Sequence, residues 1–294
     1  MKIISSTNKR GLRPLLSRNQ SEDSARVRDV QRIVDDVRRH GDSAVRKYAR
    51  RFDKLRGPVE ISSDEIQEKA TATPPAVRKA IKEAARHIRR VSKKQIPQSW
   101  RTTVVPGVIV EQRVTPLDRV GCYVPGGRYP LPSSLLMTAI PAKVAGVSEI
   151  LVACPNPAPA VLAAAMEAKV TRLFKMGGAH AIGAFAYGTR TVPVVDKIVG
   201  PGSAYVSAAK AYVAADCAID FYAGPTEIVV VSQNGNPDWI ASDLIAQAEH
   251  DPEARAILVT PSRSLATAVR SALTNNYRST RRQDRQSRLM ASLS

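Results

Sequence analysis

The chain has 294 residues, of which 44% are hydrophobic, which is enough for one large or two ordinary folded domains. Its apolar runs are too short to cross a bilayer and its first residues lack the apolar core of a signal peptide, so we expect a cytoplasmic protein without a membrane partner. The net charge of +18 would suit a nucleic-acid partner, but the basic residues at 26–56 and 78–94 have acidic residues between them and lack interleaved aromatics, which favours solvated helix faces.

The first hundred residues are predicted to be mostly helical after an irregular, extended start over residues 1–20. Apolar residues recur at helical spacing from Ser21, and Gly41 is placed to end that helix. Ser62 and Glu65 have the spacing of a capping box, which predicts the start of a short helix. The predicted helices span about 21–41, 42–52, 62–70 and 75–94.

The pattern changes at Pro97. Alternating residues over 102–114, interrupted by Pro106-Gly107, predict a hairpin. Beyond Pro116, short β-rich runs alternate with Ala-rich helical stretches, a rhythm typical of parallel βαβ units in a doubly wound sheet. The predicted strands are 120–124, 149–154, 172–176, 197–199, 227–232 and 255–260, and the predicted helices are 133–145, 158–168, 179–187, 202–215, 237–249 and 264–276.

Glycine-rich loops follow three of these predicted strands and the segment Asp220–Ala223. They are Pro125-Gly126-Gly127, Gly177-Gly178, Gly200-Pro201-Gly202 and Gly224-Pro225-Thr226. Glycine lets the backbone approach a ligand closely, and the following helix N-terminus offers free N–H groups to an anion. Four such loops on one edge of a sheet favour a binding cleft over simple turn chemistry, although none has the GxGxxG fingerprint of a standard dinucleotide site.

Several histidines and cysteines are candidates for chemistry. Gln247 and His250 share one face at the end of a predicted helix, where an amide oxygen and an imidazole suit a metal ion, or where the histidine only favours the helix dipole. His180 begins a helix at the presumed cleft, as a ligand contact or a structural residue, whereas His40 and His87 are expected on the surface. The three widely spaced cysteines form no CxxC pair and are expected to be buried hydrophobic residues.

Five stretches, in this order along the chain, resemble the histidinol dehydrogenase family. They are RVGCYVPGGRYPLPSSLLMTAIPAKVAGV at 119–147, MGGAHAIGAFAYGT at 176–189, VDKIVGPGSAYVSAAK at 195–210, AIDFYAGPTEIVVV at 218–231 and DLIAQAEHDPEARAILVTP at 243–261. The resemblance implies NAD-dependent oxidation of L-histidinol, through an aldehyde, to L-histidine, the last steps of histidine biosynthesis. It also implies a zinc ion that holds the substrate, and a homodimer with sites shared between subunits.

The resemblance carries site roles onto matching positions of this sequence. The residues implied are Gln247 and His250 as zinc ligands and substrate contacts, Thr226 as a substrate contact, and Tyr123, His180 and Ser203 as NAD contacts. The family's catalytic Glu-His pair and its remaining Asp and His zinc ligands are expected beyond residue 294, so no catalytic residue is assigned. We therefore expect a truncated family member with little turnover by the 294-residue chain alone.

The implied organisation has an NAD-binding Rossmann-like domain over 118–225. Residues 1–117 are mostly helical and include the hairpin, and we expect them to pack with 226–277 as a second α/β domain. Residues 278–294 are expected to form a disordered basic tail.

Two other functions stay open. The family's usual Gln, Asn and Ser are replaced by His180, Ser203 and Thr226, which favours a relative that oxidises another small hydroxylated substrate, and a non-catalytic binding remnant is the remaining alternative.

Overall fold

The computed structural model describes residues 2–16, 20–126, 131–221, 227–250 and 255–275. The chain forms two compact units, one over Gln20–Ala223 and the other over Met1–Asn19 with Gly224–Ser294. The described helices are α1 (Lys9–Leu16), α2 (Gln20–His40), α3 (Asp42–Phe52), α4 (Ser63–Ala70), α5 (Pro75–Gln95), α6 (Pro132–Val144), α7 (Pro159–Glu167), α8 (Gly178–Tyr187), α9 (Ala204–Val213), α10 (Pro237–His250) and α11 (263–275). The described strands are β1 (Glu60–Ile61), β2 (Trp100–Val105), β3 (Val108–Gln112), β4 (Arg119–Tyr123), β5 (Glu149–Ala153), β6 (Arg172–Phe174), β7 (Lys197–Val199), β8 (Ala218–Ile219), β9 (Glu227–Val231) and β10 (Arg255–Val259).

A six-stranded sheet organises the Gln20–Ala223 unit. Its strand order is β1-β6-β5-β4-β7-β8, and all neighbouring strands are parallel except β1, which is antiparallel to β6. The chain runs outward from β4 through β5 to β6, then returns to β7 beside β4 and continues to β8. This doubly wound order confirms the predicted α/β class, and it places the point where the winding direction changes between β4 and β7.

Both faces of this sheet are buried, because successive side chains of a strand point to opposite sides. Val120 and Cys122 of β4 join a core that α4, α5, α6 and α7 cover. Tyr123 of the same strand and Leu151 of β5 join a second core, which α2, α3, α8 and α9 cover. The near-continuous apolar runs that predicted the strands reflect this two-sided burial.

The cysteines are buried, as predicted. Cys122 and Cys154 belong to one core and Cys217 to the other, and the described residues contain no disulfide. Burial raises the pKa of the Cys122 and Cys154 thiols to about 12, and that of Cys217 to about 11. These thiols are therefore protonated packing groups near neutral pH.

The short-range predictions for the first hundred residues agree with the structure in most details. Gly41 separates α2 from α3 with a φ of 52°. Ser62 Oγ accepts from the backbone N–H of Glu65 at 3.1 Å, which caps α4. The carboxylate of Glu65 accepts from Lys69 at 2.6 Å, so Glu65 serves an i,i+4 pair rather than the return bond of the expected capping box.

The second unit contains a parallel pair of strands, β9 and β10. Ile240 and Leu244 of α10 pack with Leu265 and Val269 of α11, and apolar side chains of the two strands join this core.

The start of the chain differs from the expected irregular segment, because helix α1 begins at Lys9. The side-chain oxygen of Asn8 accepts from the N–H of Gly11 at 2.9 Å and so caps this helix. No helix within the described ranges has the length and apolar character of a membrane span.

The grouping of the N-terminal helices differs from the predicted division, which joined residues 1–117 to 226–277. In the structure α2 packs on α8 and α9, α3 packs on α8, and α5 packs on α6 and α7. The apolar residues Val30, Val34 and Val37 of α2 lie in the same core as Tyr123 of the sheet. These helices cover the faces of the parallel sheet, so residues 20–117 belong to its unit.

Candidate functional site

A cleft of about 990 Å³ opens where α8 and α9 begin, beyond the carboxyl ends of β6 and β7. The first turns of these helices form one side of it, and side chains of α2 and α3 form the other. In an open parallel sheet this is the edge at which ligands bind. The lining residues include Arg32, Asp36, Arg39, His40, Lys47, Tyr48, Arg51, Phe52, Asp53, Gly178, His180, Ser203 and Tyr205.

His180 is fixed by a carboxylate from a distant part of the chain. Its Nε2 lies 2.9 Å from Asp53 Oδ2, and the same oxygen accepts from the N–H of Gly177 at 3.0 Å. The side chain of His180 is 1% exposed and that of Asp53 is 11% exposed. Asn156 donates to the backbone carbonyl of Asp53 at 2.8 Å, which ties the end of β5 to the same point. Asp53 thus binds both the backbone of the loop before α8, at Gly177, and the side chain of His180 in its first turn.

Aromatic rings stand next to this contact. The rings of Tyr48 and Phe52 are stacked with centroids 5.9 Å apart, and the imidazole of His180 lies 6.0 and 6.4 Å from them. Phe52 is 51% exposed, whereas Tyr48 is buried. An exposed ring that lines a cleft offers a flat apolar surface to a planar ligand.

Tyr123 lies under the cleft. It is buried at the end of β4, and its hydroxyl oxygen accepts from the N–H of Gly178 at 3.0 Å. Burial raises the pKa of Tyr123, so the phenol keeps its proton at neutral pH. Tyr123 therefore holds the first residue of α8, while Asp53 holds the residue before it.

The loops after β4, β5 and β6 approach one another closely. A Cβ on Gly126 would lie 2.6 Å from Pro155 Cγ, and a Cβ on Gly177 would lie 2.7 Å from the same atom. After β7, Gly200 has a φ of 115°, and a Cβ there would lie 2.2 Å from the carbonyl oxygen of Tyr123. Glycine is needed at these positions because backbone or ring atoms occupy the side-chain space.

The far wall of the cleft carries both signs of charge. Asp36 Oδ1 lies 2.7 Å from His40 Nδ1, and Asp36 Oδ2 accepts from Lys47 Nζ at 2.8 Å. The hydrogen bond from Lys47, with further bonds from Tyr48 and His40, lowers the pKa of Asp36 to about 2. Four basic side chains, those of Arg32, Arg39, Lys47 and Arg51, line the cleft.

The structure brings together the three residues expected to contact NAD. His180 and Ser203 line the cleft, and Tyr123 contacts the backbone of its α8 wall. Ser203 is the N-cap of α9, and its side chain makes no capping hydrogen bond. The N-terminus of α9 therefore suits an anionic ligand, whereas the N–H groups of Gly177 and Gly178 at the start of α8 are already bound by Asp53 and Tyr123. Thr226 lies outside the described residues, as do Gly127 and the loop from Gly224.

The expected metal ligands lie in the other unit. Gln247 and His250 occupy the last turn of α10, three residues apart, and Gln247 is half-buried. Imidazole nitrogen and amide oxygen are donor types that zinc accepts, but a closed site needs four ligands. The part of the chain that the structure describes holds no group of three or more His, Cys, Asp or Glu side chains placed to bind a metal. Gln247 and His250 are therefore suitable zinc ligands by donor type, but two ligands do not complete a zinc site.

The sequence analysis missed two polar residues, Asp53, whose side chain is 11% exposed, and the buried Lys210. Asp53 directly follows α3, as an ordinary helix-end residue would, while its partner His180 lies 127 positions away. Lys210 lies in an Ala-rich helix, where a surface position is the natural expectation, yet it is 1% exposed. In the sequence, the glycine loops and the helix-start His180 were the signals that pointed to this edge of the sheet.

Comparisons with known proteins agree on one family. A family model for histidinol dehydrogenase matches residues 16–294. The chain is 46% identical over 275 residues to the histidinol dehydrogenase of Cupriavidus pinatubonensis, and 45% identical over 286 residues to that of Burkholderia lata. These alignments cover 89% and 93% of this chain. The crystal structure of histidinol dehydrogenase from Elizabethkingia anophelis superposes with a TM-score of 0.78 at 33% identity, over 85% of this chain.

The chain spans only part of the length of these relatives. The alignments cover 62% of the Cupriavidus protein, 65% of the Burkholderia protein and 59% of the Elizabethkingia chain. The region matched by the family model includes the cleft and α10.

Proposed function

The chain belongs to the histidinol dehydrogenase family, and from this premise we propose that it binds NAD in the cleft of the Gln20–Ala223 unit. We further propose that it takes part in the zinc-dependent oxidation of L-histidinol, through an aldehyde, to L-histidine. The observation that carries the first step is the convergence of Tyr123, His180 and Ser203 at the starts of α8 and α9. Histidinol dehydrogenases are NAD-dependent oxidoreductases, so a dinucleotide is the ligand that this cleft would take.

The properties of the cleft support a dinucleotide. Its volume of about 990 Å³ lies at the upper end of the range for small-molecule and cofactor sites. The uncapped start of α9 and the side chains of Arg39 and Arg51 favour the negatively charged diphosphate. The exposed ring of Phe52 offers a face on which a planar base can stack. These groups bind and orient the cofactor, and its nicotinamide would supply the hydride acceptor.

For the substrate, we propose that Gln247 and His250 on α10, with Thr226, provide contacts and two of the zinc ligands. A bound zinc ion acts as a Lewis acid on an alcohol oxygen. The i,i+3 spacing of Gln247 and His250 supports this, because residues three apart lie on one helix face. A homodimer and a cytoplasmic location are part of the same proposal and rest on family membership.

Calorimetric titration of the purified 294-residue chain with NAD tests the cofactor site. We expect one NAD per chain, with affinity lowered about tenfold or more in His180→Ala, since a buried contact residue is removed. The matched control is His87→Ala, because the His87 side chain is 60% exposed on α5. Absence of NAD binding, or equal affinity in the two variants, would contradict the proposed site.

Zinc uptake tests the second part. In equilibrium dialysis against Zn²⁺ we expect less bound metal for Gln247→Ala than for Gln233→Ala, a control at an exposed glutamine before α10. Equal uptake by both variants would remove Gln247 from the ligand set.

NADH formation with histidinol, compared with other small amino alcohols under the same conditions, identifies the substrate. Faster oxidation of another alcohol would favour the alternative of a relative with a different substrate, which the residues at 180, 203 and 226 also favour.

A further inference from the structure

A lysine is buried inside the NAD-binding unit. Lys210 lies on α9 and is 1% exposed, less than any other lysine among the described residues. Its Nζ donates to the carbonyl oxygen of Gly200 at 3.1 Å and pairs with the carboxylate of Asp220. The ring of Phe221 lies 5.3 Å from the ammonium group. A buried ammonium is costly unless it is paired and hydrogen-bonded, and these contacts meet that requirement.

Asp220 completes the contacts around Gly200. Its Oδ2 accepts from the N–H of Gly200 at 2.7 Å, and its Oδ1 accepts from the N–H of Phe221 at 2.7 Å. The carbonyl of Gly200 is bound by Lys210 and its N–H by Asp220. Both backbone polar groups of this one residue are thus held by a single ion pair.

Gly200 lies where the backbone is closely packed. Its φ of 115° is rare for residues with a side chain, and its Cα packs against the carbonyl of Tyr123 at the point where the sheet changes winding direction. The chain continues through Pro201 and Gly202 to Ser203, which lines the cleft and begins α9. A shift of Gly200 would therefore displace the helix start that faces the ligand.

We propose that Lys210 and Asp220 are positioning residues that hold the Gly200–Ser203 loop in the shape that binds the cofactor. This rests on the proposed function, in which the cleft takes NAD. The two residues act through Gly200 and line no part of the cleft themselves. Asp220 also accepts from the N–H of Phe221, near the end of this unit.

The rival explanation is that the pair stabilises the core and has no bearing on ligand binding. A double variant, Lys210→Met with Asp220→Asn, removes both charges and nearly preserves the volumes, so it leaves no unpaired buried charge. The control removes another partly buried pair in the same unit, Arg172→Met with Glu60→Gln. Arg172 donates to both carboxylate oxygens of Glu60 at 2.6 Å, at the far edge of the sheet between β6 and β1.

NAD affinity and the urea unfolding midpoint are measured for the original chain and both double variants, with the titrations well below every melting temperature. We expect both double variants to unfold more easily. Only the Lys210/Asp220 variant should bind NAD about tenfold or more weakly, which corresponds to about 1.4 kcal/mol. The single variant Lys210→Arg keeps Asp220, a positive charge and hydrogen-bond donors at position 210. It should therefore bind NAD more tightly than the Lys210/Asp220 double variant does.

The outcomes separate the two proposals. An original chain that fails to bind NAD would refute the proposed function and this inference with it. NAD binding by the original chain, with unchanged affinity in the Lys210/Asp220 variant or an equal loss in the control, would refute the inference alone. Should the double variant lose its cooperative unfolding transition, Asp220→Asn takes its place, with Glu60→Gln as its control, since each leaves one basic partner without its carboxylate. The Asn amide oxygen still accepts from the N–H of Gly200, so we expect a loss of NAD affinity of about threefold that is confined to Asp220→Asn, and unchanged affinity would refute the inference.

Discussion

His180 Nε2 lies 2.9 Å from Asp53 Oδ2, although 127 positions of the chain separate the two residues. The contact joins the end of α3 to the start of α8, and the same carboxylate oxygen also binds the N–H of Gly177. One side chain therefore fixes both a cleft-lining imidazole and the loop that carries it.

Asp53→Ala should reduce both stability and NAD binding. The change leaves the N–H of Gly177 without its acceptor and the imidazole of His180 without its partner, and each orphaned buried group costs about 1–3 kcal/mol. The measurements are urea unfolding and NAD titration. Asp64→Ala is the control, because Asp64 is exposed in the first turn of α4 and does not line the cleft. A control effect as large as that of Asp53→Ala would mean that loss of a negative charge, rather than this contact, matters.

Alanine substitutions at two glycines separate backbone strain from lack of space. Gly57 has a φ of 80°, and a Cβ there would meet no heavy atom within 4 Å, so Gly57→Ala should cost only the strain of about 1–2 kcal/mol. Gly200→Ala adds a clash with the carbonyl of Tyr123 and should cost about 3 kcal/mol or more. Thermal and urea unfolding of both variants measure the difference. Equal destabilisation would show that the backbone at Gly200 moves freely.

Tyr123→Phe should weaken the start of α8 while leaving the core packed. The ring remains, but the N–H of Gly178 loses its acceptor, which costs about 1 kcal/mol. We expect a lower unfolding free energy and weaker NAD binding. Tyr205→Phe is the matched variant, since Tyr205 also lines the cleft but is 44% exposed, and its stability should be unchanged. Identical stability of Tyr123→Phe and the original chain would contradict the role given to this hydroxyl.

Acid should destabilise the cleft wall through Asp36. The pKa of this carboxyl is lowered from 3.8 to about 2 in the folded chain, chiefly by the hydrogen bond from Lys47. A lowered pKa adds stability above the unfolded value, and that contribution is lost as the pH falls from about 4 to about 2. Unfolding free energies measured across this interval should fall less steeply for Lys47→Met than for the original chain. Parallel curves would mean that Lys47 does not set the pKa of Asp36.

The order of strands and helices was predictable because it depends on local pattern. Each parallel strand from β4 to β7, and also β9 and β10, lies within two residues of its predicted bounds, since buried β-rich runs and Ala-rich helices alternate regularly. The two-residue strands β1 and β8 were missed, because two residues carry no periodicity. Helix α1 was missed as well, although Asn8 is a good N-cap residue.

The site was only partly predictable, because its key contacts are long-range. Glycine loops and a helix-start histidine pointed, from the sequence alone, to the edge of the sheet at which the structure has its cleft. Nothing local to Asp53 indicates His180, and nothing in the Ala-rich sequence of α9 indicates that Lys210 faces inward to Asp220. The packing of α2 and α3 on α8 was likewise invisible, since an amphipathic helix shows that it has a buried face but not which surface covers it.

The hairpin of β2 and β3 has a practical consequence for handling the protein. All residues of both strands are exposed, including Val104, Val105, Val108 and Ile109, and the described structure pairs these strands only with each other. Both outer edges thus offer unpaired N–H and C=O groups beside aliphatic side chains, which is a template for further strands. Concentrated samples should therefore self-associate by strand addition, and a lysine in place of Val104 or Ile109 is the simplest way to keep them dispersed.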